Sequence, residues 1–191
     1  MIVRPGTDAD ADAAARLHAT GIQEGFLSSL GPRFLTLLYR RMVRDGRSFL
    51  LVAEEDGVVV GYAGATENLS HLYRQFLRHE GVVAALVAAP RLFRAWRPAL
   101  ETLRYPSGGQ DLPDAELLAI AVSPECRGRG VGRALVTAVN EELTRRGVTN
   151  ARVVVAATNA AALQLYKASG FRPSTSIEVH ARTTSEVLTW S

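Results

Sequence analysis

The stretch RGRGVG, residues Arg127–Gly132, lies between a short apolar run, LLAIAVSP (117–124), and a helix-like segment, RALVTAVNEELTRRG (133–147). A helix N-terminus exposes about four unpaired backbone N–H groups and a partial positive charge, so a loop feeding it can hold a phosphate if its backbone is free to approach. Gly128, Gly130 and Gly132 allow that approach by turning successive N–H groups inward, and Arg127 and Arg129 add charge. A purely structural glycine turn is the alternative. Beyond the loop, Val131, Leu135, Val139 and Leu143 recur every four residues, the stripe of a helix that packs on a sheet. Gly147 supplies its stop.

Downstream, ARVVVAAT (151–158) reads as a strand with little alternation, as expected for one covered on both faces. NAAALQLYKASG (159–170) reads as a short helix, and the chain ends in two strands joined near residues 181–184. Upstream, MIVRP opens with a strand, and Thr7 or Asp8 can cap the helix that follows. Residues 31–46 form a helix with Pro32 in its first turn, Phe34, Leu37, Leu38 and Met42 on one face, and Gly46 at its end. Residues 48–67 hold two β-branched runs about Asp56-Gly57, a strong hairpin signal. Residues 68–112 read as a mostly helical insertion with breaks at Pro90, Pro98 and YPSGGQDLP (105–113). The strand-loop-helix-strand order of the second half implies a right-handed parallel crossover. Residues 1–191 are therefore expected to form a single α/β domain, a mixed central sheet flanked by helices.

The excess of 22 Lys+Arg over 19 Asp+Glu is too small to argue for nucleic acid, so no nucleic-acid partner is expected. Cys126 is the only cysteine, which excludes an intrachain disulfide and a thiolate zinc cluster, and no metal is expected. The first twenty residues hold no continuous apolar stretch, and the longest apolar run, VVAALVAA (82–89), falls far short of the roughly 20 residues that span a bilayer. These features predict a soluble, cytoplasmic protein without an integral membrane segment. Homodimerisation is left open.

Two nucleotide motifs fail at the loop. A dinucleotide fingerprint counted from Gly128 meets Arg133 where the third glycine belongs, and counted from Gly130 it meets Leu135. No Lys-Ser/Thr pair follows the glycines, as a nucleotide P-loop requires. What the stretch resembles is the acyl-CoA signature of the GNAT superfamily of N-acetyltransferases, [RQ]xxGx[GA], in Arg127, Gly130 and Gly132. A second element, NAAALQLYKASGF (159–171), is similar to the family's Nxx[AS]xxLYxxxGF. The two stand in the right order, separated by a helix and a strand, and the resemblance covers nearly the whole chain apart from 68–112.

The resemblance implies a GNAT-like fold whose central parallel strands, AIAV (119–122) and VVVAAT (153–158), splay apart to admit acetyl-CoA. It further implies that the pyrophosphate lies on the backbone of Arg127, Gly128, Arg129, Gly130, Val131 and Gly132, with Arg133 beside them. Ile120, Ala121 and Val122 would line the pantetheine arm, with pairing through the backbones of Ile120 and Val122, and Asn159 would contact the arm from the other side. Tyr166 matches the tyrosine to which the family assigns the proton-donor role.

Acetylation of an amine needs a neutral nitrogen, whereas an alkylammonium has a pKa of about 10.4, so a group must accept a proton directly or through water. The departing thiolate, with a pKa of about 8.5 on the cysteine scale, then benefits from a donor such as a phenol. A backbone N–H near Val122 would polarise the thioester carbonyl. Relatives that acetylate protein N-termini carry a glutamate where this chain has Val154. Glu116 is the first candidate base and Glu67 the second, an arginine-paired carboxylate being the alternative for each. His180 can reach the acceptor site or be a solvated or hydrogen-bonded strand histidine, and Cys126 reads as a small filler beside the loop.

The insertion carries Arg74, Arg78, Arg91, Arg94, Arg97 and Arg104 against Glu80 and Glu101, interleaved with Leu72, Tyr73, Phe76, Leu77, Leu92, Phe93 and Trp96. Such a segment can be a solvated surface, a face for anionic lipid or phosphate, or a lid over the acceptor. The expected function is acetyl transfer from acetyl-CoA to a small-molecule amine, with an anionic acceptor such as a nucleotide-linked amino sugar favoured by the arginines. The alternatives are a longer acyl donor, a protein amine acceptor, or an acyl-CoA-sensing module without turnover.

Overall fold

The computed structural model describes residues 1–22, 26–103, 112–179 and 183–191, apart from the side chains of residues 26, 90–103, 178, 179 and 183. Strands β1 (Ile2–Pro5), β2 (Ser48–Glu55), β3 (Val58–Thr66), β4 (Glu116–Val122), β5 (Ala151–Ala156), β6 (Arg172–Val179) and β7 (Thr183–Trp190) form one sheet in the order β1-β2-β3-β4-β5-β7-β6. Of the strand pairs, β4–β5 is parallel and the others are antiparallel. The helices are α1 (Ala11–Gly21), α2 (Phe26–Leu30), α3 (Pro32–Arg44), α4 (Leu69–Leu103), α5 (Val131–Arg145) and α6 (Ala160–Ala168).

The β2–β3 hairpin turns at Asp56 and Gly57, both at positive φ (51° and 77°), the geometry a two-residue turn demands of right-twisted strands. At the N-terminus Thr7 is the capping residue: its backbone N–H and its hydroxyl both donate to Asp10, 2.8 Å each. Asp10 also takes Arg4 at 2.8 Å, which holds its carboxyl down at about 2 and ties the helical layer to β1. The short α2 has no counterpart among the expected elements.

Two cores sandwich the sheet. On one face α5 buries Val131, Leu135, Val136, Val139 and Leu143 against β2, β3, β4 and β5. Each such side chain contributes at most roughly 1.5–3 kcal/mol relative to exposure. On the other face α1 and α3 cover Leu50, Val52, Tyr62, Ala119 and Ala121.

Three expectations about faces and breaks are corrected. The buried stripe of α3 is Leu35, Leu38, Tyr39 and Met42, while Phe34 and Leu37 are half-buried at its edge. Helix α4 runs unbroken through Pro90 and Pro98. A proline removes one backbone hydrogen bond and crowds the preceding turn, but the Ala, Leu and Arg around these two are strong helix formers. Strand β5 does alternate: Val153 and Val155 are buried in the core under α5, while Val154 is 37 % exposed and belongs to neither core among the described residues.

Candidate active site

Arg127–Gly130 is a turn, and α5 starts at Val131. Gly128 and Gly130 sit at φ 73° and 85°, where L side chains are strained. The first N–H of the region to reach a helical carbonyl is that of Ala134, which donates to Gly130 at 3.0 Å. From Gly128 to Arg133, successive backbone N–H groups donate to no acceptor among the described residues. A run of such donors at the positive end of a fifteen-residue helix has the chemistry to take an anion.

Gly132 has another reason to be glycine. A Cβ there would stand 3.3 Å from Leu165 of α6 and 3.9 Å from Val122 of β4. Its absence lets the start of α5, the end of β4 and α6 meet at one point. The loop's charge is also divided. Arg129 is held by Glu55 at 2.7 Å, whereas Arg127 is exposed, with its Nε 3.3 Å from the Val122 carbonyl and no carboxylate at ion-pair distance among the described residues. Cys126 is buried beside them, its Sγ 3.6 Å from Arg129.

Strands β4 and β5 pair in register only at Glu116 and Arg152, where Arg152 N–H donates to the Ala115 carbonyl at 2.9 Å. A β-bulge lies just beyond. Gly64 pairs with Ala119 and Ala65 with Leu117, which leaves Leu118 as the extra residue on β4. Leu117 belongs to the α5 core, Leu118 and Ala119 both to the α1/α3 core, and Ile120 again faces α5. On the backbone, Ser123 N–H donates to Val60 of β3 at 2.8 Å, so alternation turns Ile120 and Val122 the opposite way, toward the open side between the strands. The expected gap between the parallel strands is therefore present, and a bulge opens it.

Tyr166 reaches this region from α6. It is 4 % exposed, its ring packs edge-on against Phe171 at 5.5 Å, and its hydroxyl has no hydrogen-bond partner among the described residues. Burial pushes its phenol well above the usual range. Asn159 caps α6, its Oδ1 accepting the Ala162 N–H at 3.1 Å, so a ligand contact by Asn159 would come from its amide NH2 or its backbone.

The two candidate carboxylates are both arginine-paired. Glu116 is held by Arg152 at 2.7 Å, and its side chain is 13 % exposed. Burial outweighs the arginine and raises its carboxyl above the usual range. Glu67 pairs with Arg146 of the residues following α5 at 3.0 Å, and Arg146 also bonds the Gly46 carbonyl at 2.9 Å, which gives Glu67 a structural tie. His180 and the side chains of Arg91, Arg94, Arg97 and Arg104 lie outside the described residues, as do the chain positions 104–111.

A buried polar cluster joins α1, α3 and β3 on the face opposite α5. The hydroxyls of Tyr39 and Tyr62 lie 2.5 and 2.9 Å from His18 Nδ1 and 2.8 Å from each other, while Ser28 Oγ is 3.1 Å from His18 Nε2. Burial lowers His18 to about 4, so the ring is neutral at pH 7. Burial, with Tyr39 and Tyr166 adding to it, holds the Tyr62 phenol well above its ordinary value. Tyr62 is the register partner of Ala121, which places the cluster directly behind β4. Its residues come from four separate elements, α1, α2, α3 and β3, and nothing in their spacing announces the contact.

Comparison with known proteins agrees with this fold. Residues 19–171 match the model of the acetyltransferase (GNAT) family. The ribosomal protein bS18-alanine N-acetyltransferase of Escherichia coli K12 is 44 % identical over 64 residues, 34 % of this chain and 43 % of that protein. Mycothiol acetyltransferase of Beutenbergia cavernae is 40 % identical over 74 residues, 37 % of this chain and 24 % of that protein. The matched stretches thus span less than half of these relatives. Among solved structures, the ribosomal-protein-alanine N-acetyltransferase of Brucella melitensis superposes with a TM-score of 0.65 at 21 % identity, covering 99 % of this chain and 98 % of that one. The yncA chain of Salmonella typhimurium, determined with its cofactor acetyl-CoA, gives 0.63 at 18 % identity over 100 % and 92 %.

Proposed function

This chain belongs to the acetyltransferase (GNAT) family, and on that premise we propose that it transfers an acetyl group from acetyl-CoA to a primary amine by direct attack in a ternary complex. The observation that carries this reading is the run of unpartnered N–H groups from Gly128 to Arg133, beside the outward-turned backbone of Ile120 and Val122. The loop would take the pyrophosphate, with Arg127 as its uncommitted cation and Arg133 on the adjoining turn. Ile120 and Val122 would pair with the pantetheine arm across the opening that the Leu118 bulge makes, with Ala121 between them and Asn159 opposite. A backbone N–H near Val122 would polarise the thioester carbonyl, and the attacking nitrogen would form the new C–N bond as the C–S bond breaks.

Tyr166 stays protonated across the physiological range, so it can give its proton to the departing thiolate. Glu116 is the proton acceptor in this reading, directly or through water, because burial raises its carboxyl toward the range where a base is effective. The acceptor we favour is a small anionic amine, such as a nucleotide-linked amino sugar, recognised by guanidinium groups of the α4 region. A protein amine is the second reading. It is favoured by the likeness to the Escherichia coli enzyme named for ribosomal protein bS18 alanine, while Val154 stands where such relatives carry glutamate.

Calorimetric titration with acetyl-CoA, followed by an amine panel, tests the proposal. Binding by wild type that is lost in Gly130→Val, with turnover on at least one amine, is the expected result. Binding with only slow thioester hydrolysis on every amine would favour an acyl-CoA sensor, and absence of binding to wild type would overturn the reading. Equal rates on neutral and phosphorylated amines would remove the anionic acceptor.

A further inference from the structure

Helix α4 holds to the domain by a stripe of every fourth residue. Leu72, Phe76, Ala84 and Ala88 are buried, and Glu80 between them takes Arg41 at 2.9 Å. The outward side is not the polar face that a surface helix needs. Leu77, Val82, Val83 and Leu86 are 62, 78, 49 and 71 % exposed, and residues 81–90, GVVAALVAAP, hold no charged or hydrogen-bonding side chain. A helix that is apolar all round requires something to cover it. Val82, Leu86 and Ala89 lie one or two turns apart on its exposed side, so the apolar surface is continuous.

Charge selects the occupant. Within Leu69–Leu103 the sequence holds Arg74, Arg78, Arg91, Arg94 and Arg97, two before the apolar stretch and three after it, against Glu80 and Glu101. Glu80 is already engaged by Arg41. A second copy packed along this helix, in either direction, would bring arginine clusters against arginine clusters, which opposes pairing. An acidic protein surface would answer the charge but would meet uncharged aliphatic side chains at the centre and find no hydrogen-bonding groups among residues 81–90. A bilayer surface with anionic headgroups answers both features, taking aliphatic side chains below the phosphates and pairing guanidinium groups with them.

We propose that the exposed side of α4, centred on Val82, Val83 and Leu86 and flanked by arginines, docks the protein on an anionic lipid surface. The helix lies in the interface rather than across it, since no helix among the described residues is long and apolar enough to span a membrane. The inference concerns a surface opposite the helix's buried stripe and does not depend on the reaction assigned above.

The test is sedimentation of the full chain with extruded vesicles, either pure phosphatidylcholine or phosphatidylcholine containing about a third phosphatidylglycerol, alongside sizing of the lipid-free protein. The expected result is at least tenfold stronger partition onto the anionic vesicles. High salt should weaken it, and V82E/L86E should abolish it while leaving the thermal transition and acetyl-CoA binding as in wild type. A second variant, Arg91→Glu with Arg94→Glu, should lose binding with the apolar face intact. Equal partition on both vesicle types, or binding unaltered in the two variants, would overturn the proposal. So would a concentration-dependent dimer that V82E/L86E dissociates in the absence of any vesicle binding.

Discussion

The Tyr166 side chain is buried with its ring on Phe171, and its hydroxyl has no hydrogen-bond partner among the described residues. A tyrosine kept for stability would be expected to use its hydroxyl, so Tyr166→Phe isolates the chemical role. It should lower turnover by about a hundredfold or more, the usual contribution of a positioned proton donor, with acetyl-CoA affinity unchanged within twofold. Steady-state kinetics beside calorimetry check the split. Glu116 makes the complementary prediction. Its raised carboxyl must be ionised to accept a proton, so activity should fall as pH drops through that pKa, and Glu116→Gln should lose the acidic limb along with most of the rate. A variant that keeps the limb would show that Glu116 only anchors Arg152. The tyrosine and the loop glycines were legible in the sequence because each sits in a local pattern. The partners of Glu116 and Arg129, at Arg152 and Glu55, lie tens of residues away and were not.

Elements carry the precision of the site. Helix α5 fixes the anion loop through Leu135 and Val139, both 0 % exposed, so Leu135→Ala should cost about 2–5 kcal/mol of stability and weaken acetyl-CoA binding as the helix start loosens. Chemical denaturation and calorimetry on the same sample read both effects. On the opposite face, His18 makes the packing of α1 pH-dependent. In the unfolded chain it titrates near 6.5, in the folded protein at about 4, so between these values the unfolded state binds more protons and stability falls as pH drops. The loss should be on the order of 3 kcal/mol, and His18→Gln should flatten that part of the profile whatever it does to the plateau. The hairpin and the order of strands and helices were readable from turn residues and periodicity. The continuity of α4 was not, because prolines read as breaks when only local propensity is weighed.

At the scale of the molecule, the sheet carries a packed core on each face yet is divided between β4 and β5, so the ligand expected there would bridge two halves of the domain. Acetyl-CoA at a hundredfold over its Kd should add about 2.7 kcal/mol to stability, a rise of roughly 5–10 °C in melting temperature for a chain of this size. Gly130→Val should show no such rise in a thermal-shift titration. The exposure of Val154 fits the same division, and the reading of β5 as doubly covered failed because an apolar β-branched run looks the same in sequence whether one of its faces is covered or two. The bulge at Leu118 also makes the opening a matter of one inserted residue. Excising Leu118 would leave Leu117 and Ala119 against the same β3 partners, Ala65 and Gly64, with Ile120 and Val122 still turned outward, so the strand's edge would be kept and the irregularity that parts β4 from β5 would be lost. Grafting this strand from a relative would succeed or fail on a count of residues before it depended on their chemistry.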